Sequence, residues 1–144
     1  MPEATKTLRP ATVENIRTGR HACFDRLVVD LAGPATAYQV RYVPVVEHEG
    51  SGAPVPARGG AKLRIDVEAP AYDDAGRPTY PLKNRNEVSD VRGFDTFRQV
   101  AWGGSFEGRT TLALGVRARL PFQTRLLAGP GTTHRLVVDV AHHW

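Results

Sequence analysis

The sequence predicts a mostly β protein, folded as a two-layer β-sandwich with approximate internal symmetry. Glycine and proline together account for 25 of the 144 residues, which favours short strands joined by turns. Apolar and polar residues alternate in many segments, whereas no stretch longer than about ten residues carries the apolar stripe of an amphipathic helix. The length fits one domain, which we place at residues 13–142, after a loose leader over residues 1–12.

The alternation of apolar and polar residues predicts the strands in chain order. They cover Val13–Thr18, Asp25–Leu31, Tyr38–Tyr42, Leu63–Val67, Thr96–Trp102, Thr111–Arg119, Phe122–Leu127 and Arg135–Val140. Residues 47–60 and 70–86 are rich in glycine and proline and are predicted to be long connections, and residues 87–95 are compatible with a helical turn. Gly103 and Gly104 are expected to end the strand that begins at Thr96.

A short sequence occurs twice, once near each end of the chain. Residues 26–32 read RLVVDLA and residues 135–141 read RLVVDVA, which are identical at six of seven positions. In both copies the leucine and the second valine fall on one face of a strand, while the first valine and the aspartate share the other face. Two near-identical strands, one early and one late, indicate a sandwich with approximate internal symmetry.

Basic residues are concentrated in the last third of the chain. The net charge is +4, and residues 96–144 carry six arginines against Glu107 and Asp139. Arginine forms planar forks that suit carboxylates and phosphates, so the excess is compatible with an anionic ligand. The chain has no basic run and no aromatic-basic motif for single strands, and we therefore expect no nucleic-acid partner. No apolar run approaches the roughly 18 residues that a membrane span needs.

Residues with catalytic or metal-binding chemistry occur only in incomplete patterns. Cys23 is the single cysteine, so no intramolecular disulfide is possible. His21 and Cys23 supply two ligands at most, and the adjacent His142 and His143 would point to opposite faces of a strand. Around Ser105 the second glycine of a G-x-S-x-G nucleophile elbow comes one residue late. We therefore expect no cofactor or metal and no enzymatic activity.

Several segments resemble a known family, the AMIN-like domains. The opening of that pattern is similar to residues 19–21 (GRH), 24–31 (FDRLVVDL) and 38–43 (YQVRYV) of this chain. Residues 73–81 (DDAGRPTYP), 106–108 (FEG) and 135–142 (RLVVDVAH) resemble its later part. The resemblance covers residues 12–142, and its extent gives it more weight than any one short motif has.

The resemblance implies a location and a class of ligand. AMIN-like domains are relatives of the AMIN module of bacterial cell-wall amidases and secretion-pore proteins. The relationship implies an extracytoplasmic β-sandwich of the cell envelope, secreted or lipid-anchored, with peptidoglycan as its ligand. The first twelve residues lack the apolar stretch of a signal peptide, which leaves two alternatives: a cytoplasmic protein, or a chain from which the export signal has been removed. The resemblance implies the second alternative.

An outward surface is the remaining candidate for binding. Arg117 and Arg119 would share one face of a strand, and arginine forks bind carboxylates while aromatic rings stack on sugars. The candidate ligand-binding residues are Arg117, Arg119, Arg98, Arg109, Tyr80 and Trp102. We therefore expect a non-catalytic module that binds a cell-wall glycan or an envelope protein. Two alternatives stay open: a small glycan-acting hydrolase or lyase, and a protein–protein adaptor that uses an exposed strand edge.

Overall fold

The computed structural model describes residues 11–144, and within this range the regular structure is entirely β. The strands are β1 Thr12–Arg20, β2 Phe24–Ala32, β3 Tyr38–Val43, β4 Val46–Glu47, β5 Pro54–Val55, β6 Ala61–Val67, β7 Phe97–Phe106, β8 Arg109–Val116, β9 Phe122–Ala128 and β10 Thr133–Ala141. Every predicted strand has a counterpart in the structure, and some strand ends differ from the predicted ones. Of the predicted leader, residues 1–10 lie outside the described residues, and Thr12 already belongs to β1.

Two antiparallel sheets form the sandwich that the sequence predicts. Sheet A has the strand order β1-β2-β10-β9, and sheet B has the order β3-β6-β8-β7. One core lies between them, because alternate residues of each strand point inward and remove their apolar surface from water. Leu27 and Leu136 of sheet A and Leu63 and Leu114 of sheet B are fully buried there.

The repeated sequence forms the centre of sheet A, where its two copies pair with each other. Val28 lies opposite Val137 in the antiparallel register, Arg26 lies opposite Asp139, and Asp30 lies opposite Arg135. The pairing is therefore symmetric about the two valines. This two-fold relation is local to sheet A, where the two strands are neighbours, and symmetry of the whole sandwich stays a prediction.

The outer face of sheet B is covered by a small hairpin, which corrects one prediction. Residues 47–60 were expected to be a loop, but β4 and β5 pair within and beside this segment. Val46 and Val55 of the hairpin pack on Ala101 and Ala113 in a second buried cluster. The small side chains of the two alanines on the sheet allow this close approach.

Three further expectations about strand ends and turns are wrong. Gly103 and Gly104 do not end β7, because the strand passes through them with an irregular register and continues to Phe106. A positive φ of 102° at Gly104 allows this bulge. The strand β8 ends at Val116, so the chain bends before Arg119 and turns toward sheet A. Residues 87–95 form bends and turns without a helical turn.

The two long sides of the sandwich differ in what lies beside their edge strands. On the first side, which we call the covered side, the connection over residues 68–96 lies along β1 and β7. The Val13 amide donates to the Pro70 carbonyl at 2.9 Å, and the Trp102 amide donates to the Arg85 carbonyl at 2.7 Å. The second side, the open side, has β3 and β9 as its edge strands, and no such connection lies along them in the described chain.

Candidate functional site

A cleft of about 650 Å³ opens on the covered side, at the tip of the β7–β8 hairpin. The connection over residues 70–86 forms one wall, and the loop after β4 forms the other. Pockets of this size are typical of small-ligand sites. Its lining includes four aromatic residues, one cation and one carboxylate: Tyr72, Tyr80, Trp102, Phe106, Arg85 and Glu49.

The aromatic wall is rigid at its base and open at its rim. The rings of Tyr80 and Trp102 lie 5.8 Å apart between centroids, and Trp102 is only 7% exposed. Burial raises the pKa of the Tyr80 phenol, so the ring stays neutral at physiological pH. Phe106 is 47% exposed, which leaves one aromatic face available to a ligand.

Glycine residues shape the loop opposite Phe106. A Cβ atom at Gly50 would lie 3.4 Å from the Phe106 ring, and the residue has a positive φ of 93° that favours glycine. The Glu49 amide donates to the Gly103 carbonyl at 2.9 Å, which ties this loop to β7. The exposed ring is therefore supported from below by backbone.

The turn over residues 73–77 supports the opposite wall. The Asp73 carboxylate accepts the backbone N–H groups of Ala75 and Arg77, both at 2.9 Å. The bond from the Arg77 amide is the main reason that the pKa of Asp73 lies below its usual range, and the bond from Ala75 adds to it. The carboxylate thus acts as a turn residue, which is the role that Asp-Asp-Ala-Gly sequences favour.

Polar groups in the cleft divide into engaged and available ones. Ser105 Oγ accepts the Ala71 amide at 2.9 Å and lies 3.0 Å from Thr110 Oγ1, so this hydroxyl is held within the fold. Glu49 forms an ion pair with Arg64 at 2.9 Å. Arg85 is exposed and has no ion pair within residues 11–144. The cleft therefore offers one available cation beside its aromatic rings.

The structure separates the predicted ligand-binding residues into two groups. Tyr80 and Trp102 meet in the cleft, whereas the four arginines lie outside its lining. Arg109 is held by Glu68 at 2.7 Å, and this hydrogen bond raises the pKa of its guanidinium. The Arg98 guanidinium donates to the backbone carbonyl of Phe94 at 3.1 Å and so stabilises the chain just before β7.

Arg117 and Arg119 do not share a strand face, because β8 ends at Val116. The Arg117 guanidinium donates to the backbone carbonyl of His142. The Arg119 guanidinium lies 4.9 Å from the centroid of the Tyr42 ring, in a cation–π contact. The two guanidinium groups are thus engaged by different segments of the fold.

A buried polar cluster lies at the end of the sandwich where Arg117 is found. Asp25 is 1% exposed and accepts the amides of Thr96 and Phe97 at 2.7 and 3.0 Å. His142 Nδ1 lies 2.8 Å from Thr96 Oγ1, and its Nε2 lies 2.9 Å from the His21 carbonyl oxygen. These groups join β2, β7 and β10, and their burial keeps them from a substrate. Within residues 11–144, no group of three potential ligands is placed to hold a metal ion.

Sequence reasoning missed Phe106 and Arg85 as residues of the cleft. Phe106 follows a glycine pair that looked like a strand end, and Arg85 lies in a segment without periodicity. The one sequence signal for Phe106 was an aromatic residue directly before a Glu-Gly pair that is typical of a turn.

Comparison with protein-family models shows the family of this chain. The family model of the AMIN-like domain matches residues 11–142. The chain belongs to the AMIN-like domain family. A search of curated proteins gives no significant match.

Membership of the family has a general functional meaning. AMIN-like domains are cell-envelope-associated modules and are generally non-catalytic binding domains. Among residues 11–144, no helix is long and apolar enough to cross a membrane.

Proposed function

We propose that this AMIN-like domain is a non-catalytic module of the extracytoplasmic cell envelope that binds a wall glycan in the aromatic cleft. Peptidoglycan is the proposed ligand. The observation that carries the proposal is the grouping of Tyr80, Trp102 and the exposed Phe106 around one cleft of about 650 Å³. Aromatic faces stack on the apolar faces of sugar rings.

Charge in the cleft supports a glycan that carries carboxylates. Arg85 has no ion pair within the described range, so its guanidinium can bind an incoming carboxylate without losing a partner. Peptidoglycan carries carboxylates beside its sugar rings. The combination of one cation with several rings fits a ligand of mixed apolar and anionic character.

The arrangement of carboxylates favours binding over hydrolysis. Glycoside hydrolases need two carboxyl groups that flank the scissile bond, about 5–9.5 Å apart. Among the described residues that line this cleft, Glu49 alone carries a carboxylate, and it is paired with Arg64. The cleft thus has the groups for recognition but lacks the acid–base pair of a glycosidase.

A pull-down on purified cell-wall sacculi tests this proposal. Phe106→Ala and Arg85→Ala should each reduce the retained fraction. For Phe106→Ala the dissociation constant should rise about tenfold, because an exposed ring is lost from the contact. Trp144→Ala is the matched aromatic control, because Trp144 is 79% exposed outside the cleft. Lys83→Ala is the matched cationic control two residues from Arg85.

The predicted arginine surface is tested in the same experiment. Arg119→Gln should leave retention unchanged, because Arg119 lies against Tyr42 outside the cleft. Two outcomes would contradict the proposed site. In the first, Phe106→Ala and Trp144→Ala reduce retention equally. In the second, Arg119→Gln alone abolishes retention. No retention of the wild type at low or high salt would contradict wall binding itself.

A further inference from the structure

The strand β9 has an unpaired edge on the open side of the sandwich. Within the described chain it pairs with β10 on one side, and no backbone hydrogen bond reaches it from another segment. Half of the N–H and C=O groups of an edge strand point away from its sheet. The free groups of β9 can therefore pair with one more strand.

The register of sheet A leaves a positive charge next to this edge. Arg26 binds the opposite Asp139 through two hydrogen bonds of 2.8 and 3.0 Å. The symmetric partner of Arg135 would be Asp30, but Asp30 instead binds Arg17 through two hydrogen bonds of the same lengths. The Nε atom of Arg135 is buried and has no hydrogen-bond partner.

A second arginine extends the positive charge onto β9 itself. Arg125 is exposed, and its Nη2 atom lies 3.3 Å from Asp139 Oδ2. Both oxygens of this carboxylate already accept hydrogen bonds from Arg26. Arg125 lies opposite Val137 in the register, which is two residues from Arg135 on the same face. Across this face the basic groups therefore outnumber the acidic ones.

The inward side of β9 is apolar and only half-buried. Phe122 and Leu126 pack against the core but keep part of their surface exposed. The Phe122 and Tyr42 rings are in edge-to-face contact, with 5.6 Å between their centroids. The Tyr38 hydroxyl lies 3.2 Å from Thr124 Oγ1. The edge thus has one apolar flank, toward sheet B, and one basic flank, on the outer face of sheet A.

We propose that β9 binds an extended segment of a partner protein as a fifth strand of sheet A. The segment alternates acidic with apolar residues. Its acidic side chains meet Arg125 and Arg135 on the outer face, and its apolar side chains cover Phe122 and Leu126. The interaction surface lies on the open side and is independent of the glycan cleft.

A second copy of this chain is a poorer occupant than an acidic segment. The sequence of β9, FQTRLLA, contains one charged residue, Arg125. Pairing of two β9 strands would bring no carboxylate to Arg125 or Arg135 and would add positive charge to the same face. Opposite charges across neighbouring strands stabilise a sheet, and like charges destabilise it.

Titration of the full chain with synthetic peptides tests the proposal. The first probe alternates valine with glutamate, and the matched probe alternates valine with lysine. The valine-glutamate peptide should bind, weaken with added salt, and slow the hydrogen exchange of alternate β9 amides, as measured by NMR. The combined Arg125→Gln and Arg135→Gln variant should bind it about tenfold more weakly, because two charge contacts are lost.

The controls separate this surface from the cleft and from unfolding. Lys83→Gln removes a cation elsewhere and should leave peptide affinity unchanged. Sacculi should retain the double variant as well as they retain the wild type. The amide spectrum of the double variant should remain that of the folded chain. Equal binding of both peptides, protection of β1 amides in place of β9, self-association through β9, or no binding would each overturn the proposal.

Discussion

The covered and open sides of this sandwich are built from the same kind of edge strand but end in different surfaces. On the covered side, residues 68–96 use the free backbone groups of β1 and β7, as in the bond between the Val13 amide and the Pro70 carbonyl. The same connection brings Tyr80 beside Trp102 and so creates the cleft. On the open side, β9 keeps its free backbone groups and a basic flank. A long connection therefore removes one binding surface and creates another of different chemistry.

The largest expected effect on stability comes from removing the buried ring of Trp102 on the covered side. Trp102→Ala removes a ring that is 7% exposed and packed on the core, so we expect a loss of about 3–5 kcal/mol in the free energy of unfolding. Chemical denaturation measures this loss. Trp144→Ala should change stability by less than about 0.5 kcal/mol, since that ring is mostly in water. Equal effects of the two substitutions would show that the connection does not pack as described.

A smaller effect should separate the two symmetric arginines of sheet A. Arg26→Ala removes two hydrogen bonds to the partly buried Asp139 and should cost about 1–2 kcal/mol of stability. Arg135→Ala should cost less than about 0.5 kcal/mol, because its Nε atom has no hydrogen-bond partner to lose. Denaturation of the two variants side by side measures the difference. A larger loss from Arg135→Ala would contradict the assignment of Arg135 to binding.

The smallest effect is a pH dependence within the cleft. Burial raises the pKa of the Tyr80 phenol above its ordinary value of 10.0. The folded state favours the protonated phenol, so this contribution to stability is fully present below pH 10 and is lost as the pH rises through the raised pKa. The emission of Trp102 in a Trp144→Phe chain should fall as the neighbouring tyrosinate forms.

The Tyr80→Phe substitution isolates this titration from those of other tyrosines. The part of the quenching that disappears in Tyr80→Phe should have a midpoint above 10.0. A midpoint at or below that value would mean that Tyr80 is solvated and does not lie against Trp102.

The strands were predictable because each buries one face, and burial leaves a period of two in the sequence. The alternation of Leu63, Ile65 and Val67 is an example, since all three are buried in β6. The hairpin of β4 and β5 escaped prediction because strands of two residues have no period. The continuation of β7 past Gly103 depends on its pairing with β8, which local sequence does not contain.

The candidate site was predictable only in its aromatic part. Tyr80 and Trp102 were selected because rings near loops can stack on sugars, and the fold brings them together. The four predicted arginines lie outside the lining of this cleft, and three of them are held by partners from distant segments. Arg109 and its partner Glu68 are separated by 41 residues, and Arg117 is held by a backbone carbonyl near the C-terminus. A charged residue can be read from sequence, but whether its charge is already compensated depends on the tertiary structure.

The central claim is that wall glycan binds beside Trp102 on the covered side. The most direct measurement is the fluorescence of Trp102 in the Trp144→Phe chain during titration with soluble peptidoglycan fragments. We predict a saturable change in emission that is weakened about tenfold in a Phe106→Ala background. Emission that stays constant while the fragments bind, or an unchanged affinity without Phe106, would contradict the account.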